Sequence, residues 1–181
     1  PPGLSDVMDL AKMAAMLRII SPLEDADFRI WRQTRTGLLS YPLQPDAARA
    51  HLAASLYLQM ALRPHIVHIV GHTEADHAAT GGDVIDAARM ARRAIDNALR
   101  GAPDMLADPA LQARVETLLS EAKLTLNAIR GLAASGVEDA LADAETLTRA
   151  VKLGILDAPH LRNNRFARGE VRTAIVGGAC L

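Results

Sequence analysis

The chain has 181 residues, a hydrophobic fraction of 50% and a formal net charge of −1, which is the composition of a folded globular protein. Its balanced charge and its aromatic fraction of 3% exclude strong attraction to a nucleic-acid backbone or an anionic membrane, and exclude base-stacking platforms. The one cysteine, Cys180, excludes an internal disulfide and a cysteine-zinc cluster, and no apolar run approaches the roughly 20 residues that span a bilayer. We therefore expect a cytoplasmic protein without a nucleic-acid or membrane partner.

The first hundred residues alternate predicted helices with predicted strands. Ser5 is a good N-cap, and Pro45 occupies a first helical turn. Apolar residues recur at steps of three and four in each helical stretch, and residues 66–70 form a run of mostly β-branched residues. The predicted elements are a helix over 6–20, a strand over 28–33, a helix from 45 to about 63, a strand over 66–70, and a helix that begins at Thr80 or Asp83 and ends before Gly101.

This alternation is typical of parallel βαβ units, whose strands are buried on both faces. In such folds, ligands bind at the carboxyl ends of the strands. The loops 34–41 and 71–80 follow the two strands, so we expect them to lie on one face. In the third helix, the predicted buried face consists of Val84, Ala88, Ala91, Ile95 and Ala98.

Beyond residue 103 the pattern becomes helical. Asp108 and Pro109 begin a long helix that runs to about residue 134, and a shorter helix follows Asp143. The tail contains a predicted hairpin, in which residues 171–176 precede a turn at 177–178. In the same tail, Asp157 and His160 are predicted to stabilise a turn.

Residues that can ligate zinc are dense around the second strand. They are His65, His68, His72 and His77, with Glu74 and Asp76 among them. Their spacing crosses a strand and a loop, and no helical His-x-x-x-His pair occurs, so the pattern does not predict a metal site. Strand alternation points His68 to the face opposite that of Val67 and Ile69, which also argues against a metal site. We expect His68 to be a core histidine. His72 and Glu74 are the candidate catalytic residues, with loop capping or surface solvation as the alternative interpretation.

Arg32, Gln33 and Arg35 lie at the end of the predicted first strand. A guanidinium matches the geometry of a carboxylate, so these residues are candidates for binding a substrate carboxylate. The alternative is a salt bridge from an arginine to a helix of the scaffold.

Several short segments resemble the large subunit of the coenzyme-B12-dependent glutamate mutase (methylaspartate mutase) family. They are Arg32-Gln33 with Pro42, the helix start over 46–50, the apolar strand leading to Thr73-Glu74-Ala75, and the segment over 150–159 with its Leu-Asp-Ala-Pro end. The family's lysine four residues before the Glu-Ala pair is Val70 here, and its histidine before the glutamine is Arg32. The resemblance covers the chain from about residue 32 to its end.

The resemblance implies a TIM barrel that binds the substrate and faces a separate cobalamin-binding subunit or domain. Residues 1–103 would be a partial (β/α) barrel region with the last βα units, and residues 104–181 a helical C-terminal extension with an extended tail. Glu74 and His72 would then bind the ribose of adenosylcobalamin or the substrate, and Arg32 and Arg35 would hold a carboxylate. The chain would correspond to a late part of a longer subunit in an oligomeric enzyme.

Two functions are consistent with these observations. The first is part of a cobalamin-dependent carbon-skeleton mutase-like isomerase that acts on a small amino or carboxylic acid. The second is a non-catalytic helical protein-interaction module, in which the long helix after Pro109 provides the partner surface.

Overall fold

The computed structural model describes residues 5–181 and is rich in helix, as the sequence predicts. Its α-helices are α1 (Asp6–Ile20), α2 (Pro45–Gln59), α3 (Gly81–Leu99), α4 (Pro109–Arg130) and α5 (Ala144–Leu153). Its strands are β1 (Gln33–Arg35), β2 (Ile66–His68), β3 (Ile175–Val176) and β4 (Ala179–Cys180). Short 3₁₀ turns occur at Ser21–Leu23, Leu38–Ser40, Met60–Leu62, Met105–Ala107 and Pro159–Leu161.

The helices begin where the capping residues predict. The Ser5 hydroxyl accepts the backbone N–H of Met8 at 3.4 Å, and the Asp143 carboxylate accepts that of Thr146 at 2.7 Å. Thr80 and Asp83 form a reciprocal capping box at the start of α3. Local hydrogen bonding therefore sets these boundaries.

β1 and β2 form the predicted parallel pair, with Gln33 opposite Ile66 and Arg35 opposite His68. The strand predicted over residues 28–33 is wrong, because β1 begins only at Gln33. The Asp25 carboxylate accepts the backbone N–H of Phe28 at 2.8 Å, so this segment is folded as a loop and its N–H groups do not join a ladder.

The two faces of this sheet differ in burial. Val67 packs against the core and its partner Thr34 is buried, whereas Ile66 is 47% exposed and His68 and Arg35 are exposed. The prediction of a strand buried on both faces is therefore wrong, as is that of a core histidine at position 68. Strand alternation puts His68 on the face that α2 and α3 leave uncovered. Residues 5–181 contain no closed barrel.

The core of this region lies where α2 and α3 pack together over the sheet. It is formed by Tyr41, Ala48, Leu52, Leu56, Val70, Ala87, Ala91 and Ala94. The buried face of α3 differs from the predicted one, because Val84 and Ala88 are exposed. Ala87, Ala91 and Ala94 form the buried stripe instead, since packing against α2 and not apolar size decides which face is covered.

The chain divides into two compact units, Pro1–Val115 and Glu116–Leu181, and the division falls within α4. The organisation predicted from the sequence, a barrel region over 1–103 and a helical extension over 104–181, stays a prediction. Residues 1–4 of the predicted barrel region lie outside the described residues. Within the part of the chain that the structure describes, no helix is long and apolar enough to cross a membrane.

In the second unit, Asp157 organises the tail. Its carboxylate accepts the backbone N–H groups of Gly169 at 2.9 Å and Glu170 at 2.8 Å. Gly169 has φ +62°, and a Cβ there would lie 2.6 Å from the Cα of Arg162, so the tail approaches too closely for any other residue. Asp157 therefore anchors residues 12 and 13 positions later in the chain, while the predicted stabilisation of a local turn by Asp157 and His160 stays a prediction. The predicted hairpin also forms, as the antiparallel pair β3 and β4.

Asp157→Asn should loosen the tail. Desolvation raises the pKa of Asp157, but backbone N–H groups, that of Glu170 foremost, outweigh it and lower the pKa from 3.8. The carboxylate therefore stabilises the folded tail above that ordinary pKa, and its contribution disappears as the pH falls through the lower folded value. The protection of residues 169–171 from hydrogen exchange, measured relative to the intrinsic rate at each pH, should fall in Asp157→Asn near neutral pH and in the natural chain in acid. The exposed Glu138→Gln serves as the control, and equal protection in both variants would contradict this role.

Candidate functional site

Tyr41 links the loops that follow the two parallel strands. Its hydroxyl donates to the carbonyl oxygen of Val70 at 2.6 Å. Its ring meets the imidazole of His51 edge-on, with centroids 5.1 Å apart. The loops 34–41 and 71–80 therefore meet at the carboxyl ends of β1 and β2, as predicted.

The environment of Tyr41 keeps its phenol neutral. Burial raises the pKa of Tyr41 to about 12; the Thr36 hydroxyl opposes the rise, and the Glu74 carboxylate adds to it. A neutral phenol keeps the proton that binds Val70, so the hydrogen bond persists across the physiological pH range.

Glu74 is exposed and its carboxylate is partly engaged. Oε1 accepts the backbone N–H of Gly71 at 2.6 Å, while the residue remains open to solvent. A carboxylate has about four lone-pair sites, so Glu74 retains the capacity to accept hydrogen bonds from a ligand. Its position within the loop is fixed by the contact with Gly71.

His72 lies two residues earlier but is only 5% exposed. Among residues 5–181, neither of its ring nitrogens has a hydrogen-bond partner, and the Thr73 hydroxyl is also buried without one. His72 acts electrostatically on Asp83, whose pKa is lowered mainly by the hydrogen bond from the Thr80 hydroxyl. The two predicted catalytic residues therefore differ in access to solvent: Glu74 is open and His72 is enclosed.

Gln33 and Arg35 line a cleft of about 400 Å³ between β1, α1 and α2. Arg35 is exposed and forms no ion pair with any carboxylate of residues 5–181. Lys12 of α1 lines the same cleft. Burial lowers the pKa of Lys12, and Asp9, 3.8 Å from its Nζ, opposes that shift. This cleft therefore presents an unpaired guanidinium close to the carboxyl end of β1.

His51 forms another part of the cleft wall. Its Nε2 lies 2.9 Å from the Ser40 hydroxyl, and that hydroxyl donates its one proton to the carbonyl oxygen of Gly37 at 2.6 Å. Nε2 must therefore carry the hydrogen that joins it to Ser40. Sequence reasoning missed Lys12 and His51, because α1, β1 and α2 form this cleft from separate parts of the chain.

Arg32 lies apart from Gln33 and Arg35, although it was predicted to act with them. It lines a different cavity, with Arg18 and Arg63 at the amino ends of the strands. Among the described residues, no group of three or more histidine, cysteine, aspartate or glutamate side chains can hold a metal ion.

The chain matches no protein-family model, and comparisons with curated proteins and with solved structures found no match.

Tyr41→Phe should lower the free energy of unfolding by about 1–3 kcal/mol, because the Val70 carbonyl loses its buried donor. Urea denaturation measures the change, with Tyr57→Phe as the matched control, since the Tyr57 hydroxyl makes no comparable hydrogen bond. Because folding raises the pKa of Tyr41, its contribution is complete below pH 10 and falls as the pH approaches about 12. An equal decrease in the free energy of unfolding in both variants would show that the hydrogen bond from Tyr41 to Val70 does not stabilise the fold.

Proposed function

We propose that the chain is the substrate-binding part of a cobalamin-dependent carbon-skeleton mutase-like isomerase acting on a small amino or carboxylic acid. The observation that carries this proposal is the meeting of two loops at the carboxyl ends of β1 and β2, beside a cleft that holds the unpaired Arg35. Ligands bind at this end of parallel strands in barrels and open sheets alike.

Arg35 is the residue best placed to bind a substrate carboxylate. Its guanidinium is exposed and has no carboxylate partner among the described residues, and Gln33 adds an amide to the same cleft. A bidentate guanidinium–carboxylate contact orients the ligand as well as binding it. In this proposal Arg32 has no part in that contact.

The uncovered face of the sheet is consistent with a barrel. Ile66 and His68 of β2 lie on this face, opposite Val67, and both are exposed. Parallel sheets are normally covered on both faces, so we propose that β1 and β2 belong to a (β/α) barrel whose interior contains this face. The other six strands of such a barrel would come from outside the sequence described here.

Glu74 fits a contact with the ribose of adenosylcobalamin. One carboxylate oxygen is held by the Gly71 N–H, and the group has room to accept a hydroxyl. Val70 is fully buried in the core and provides no cation. Most contacts to the cofactor would therefore come from a cobalamin-binding subunit or domain, in an oligomeric enzyme. When bound, the cofactor supplies the radical that begins the rearrangement, while the protein orients the substrate.

Glu74→Ala should lower turnover by about tenfold to a hundredfold in the enzyme reconstituted with its cobalamin-binding partner, because one charged hydrogen bond to the cofactor is lost. Conversion of small amino and carboxylic acids, followed by NMR, measures turnover. Glu74→Gln removes the charge but retains an oxygen that accepts the Gly71 N–H. It therefore separates the effect of losing the charge from the effect of disordering the loop.

Asp76→Ala is the matched control, since its carboxylate is exposed and contacts His77 at 2.9 Å. Turnover should be unchanged in this variant. Retained turnover in Glu74→Ala would remove that residue from the site. No cobalamin-dependent reaction with the partner present would contradict the mutase proposal itself.

The alternative is a non-catalytic helical interaction module. Leu124 on α4 is 73% exposed, which favours a partner surface on that helix. This alternative requires stable binding of a defined protein, abolished by Leu124→Ser and insensitive to cobalamin.

A further inference from the structure

A cavity of about 780 Å³ lies at the amino ends of β1 and β2, away from the loops described above. Arg32 directly precedes β1, and Arg63 precedes β2 by three residues. The last residues of α1 and α3 and the turn Met105–Ala107 form the remaining walls. None of its lining residues lines the cleft at Arg35, so this inference is independent of the proposed function.

The charged side chains that line this cavity are mostly basic. They are Arg18, Arg32, Arg63 and Asp104. The Asp104 carboxylate accepts the backbone N–H of Leu106 at 3.1 Å, and Gln112 accepts a hydrogen bond from Arg18 at 2.7 Å. Arg32 and Arg63 form no ion pair within residues 5–181. The cavity thus holds more positive than negative charge.

One local feature concerns the side chain of Arg32, and another concerns the backbone of Arg63. The Nε of Arg32 is buried and has no hydrogen-bond acceptor, although a buried donor normally has one. Arg63 has φ 48°, a left-handed conformation that is uncommon for any residue but glycine. The first feature leaves one donor of Arg32 without an acceptor. The second is the left-handed end of the 3₁₀ turn Met60–Leu62, where the Arg63 side chain is exposed.

Neutralisation of helix dipoles is the competing explanation for the arginines. α1 and α3 end at this cavity, and each helix C-terminus carries about half a negative charge. That role needs only proximity, however. It does not account for a cavity of this size beside two arginines that form no ion pair within residues 5–181.

We propose that the cavity binds a small organic phosphate, with the phosphate group held by Arg32 and Arg63. A phosphate offers acceptor oxygens in several directions and matches guanidinium forks better than a single carboxylate does. Leu62, Leu99 and Met105 line the same cavity and would contact the apolar or planar body of the ligand. The volume lies within the range of small-molecule sites.

Trp31, the only tryptophan of the chain, gives a direct readout. Its ring lies 5.1 Å from that of His65, and His65 Nδ1 accepts the backbone N–H of Arg32 at 3.0 Å. Adenosine 5′-monophosphate should change its fluorescence saturably, and calorimetry should give the same dissociation constant. Adenosine and inorganic phosphate, which each lack one half of the ligand, should bind at least about tenfold more weakly.

Arg32→Gln and Arg63→Gly should each weaken binding of adenosine 5′-monophosphate by about tenfold or more, as one charged hydrogen bond is lost. Arg92→Gln should not, because Arg92 is exposed on α3 and does not line the cavity. Circular dichroism confirms the fold of each variant. If Arg32→Gln fails to fold, binding to Arg63→Gly tests the proposal, because glycine adopts the left-handed backbone of position 63 without strain.

Three results would overturn the proposal. The first is no saturable binding of adenosine 5′-monophosphate to the natural chain, which leaves dipole neutralisation as the role of the arginines. The second is an equal loss of binding in Arg92→Gln, which indicates attraction to overall charge. The third is adenosine or inorganic phosphate binding as tightly as the complete ligand.

Discussion

The hydrogen bond from the Tyr41 hydroxyl to the Val70 carbonyl is the constraint on which the arrangement of this region depends. A buried phenol must find an acceptor, and the one it finds belongs to the chain just beyond β2. This contact holds the loop after β1 against the loop after β2. Within this frame, Arg35 is positioned by its pairing with His68 in the sheet, and Glu74 is held by its hydrogen bond from Gly71.

The short strand β1 separates two different chemical environments. Arg35 at its carboxyl end lines a cleft with Gln33 and Lys12, while Arg32 before its amino end lines a cavity with Arg63. The helices run back over the sheet, so the C-termini of α1 and α3 line the same cavity as Arg32 and Arg63. Arg32 and Arg35, three residues apart in sequence, therefore line two separate cavities.

Val70 is a position where the structure explains a difference between this sequence and the mutase family that it resembles. A lysine in that position of the family would be polar and charged, whereas Val70 is fully buried beside Leu52 and Leu56. Burying a lone ammonium there would be costly, so valine is the residue that this core accepts. Glu74 retains its role in the proposal because it stays exposed and is held by Gly71.

The sequence by itself determined the features that depend on neighbours a few residues away. The caps at Ser5, Thr80 and Asp143, the parallel order of the two strands and the C-terminal hairpin were all predictable, because local hydrogen bonds and periodicity decide them. Packing between distant segments decided the rest: it exposed His68, enclosed His72 and rotated the buried face of α3. Those outcomes depend on which surfaces meet, and a one-dimensional pattern does not contain that information.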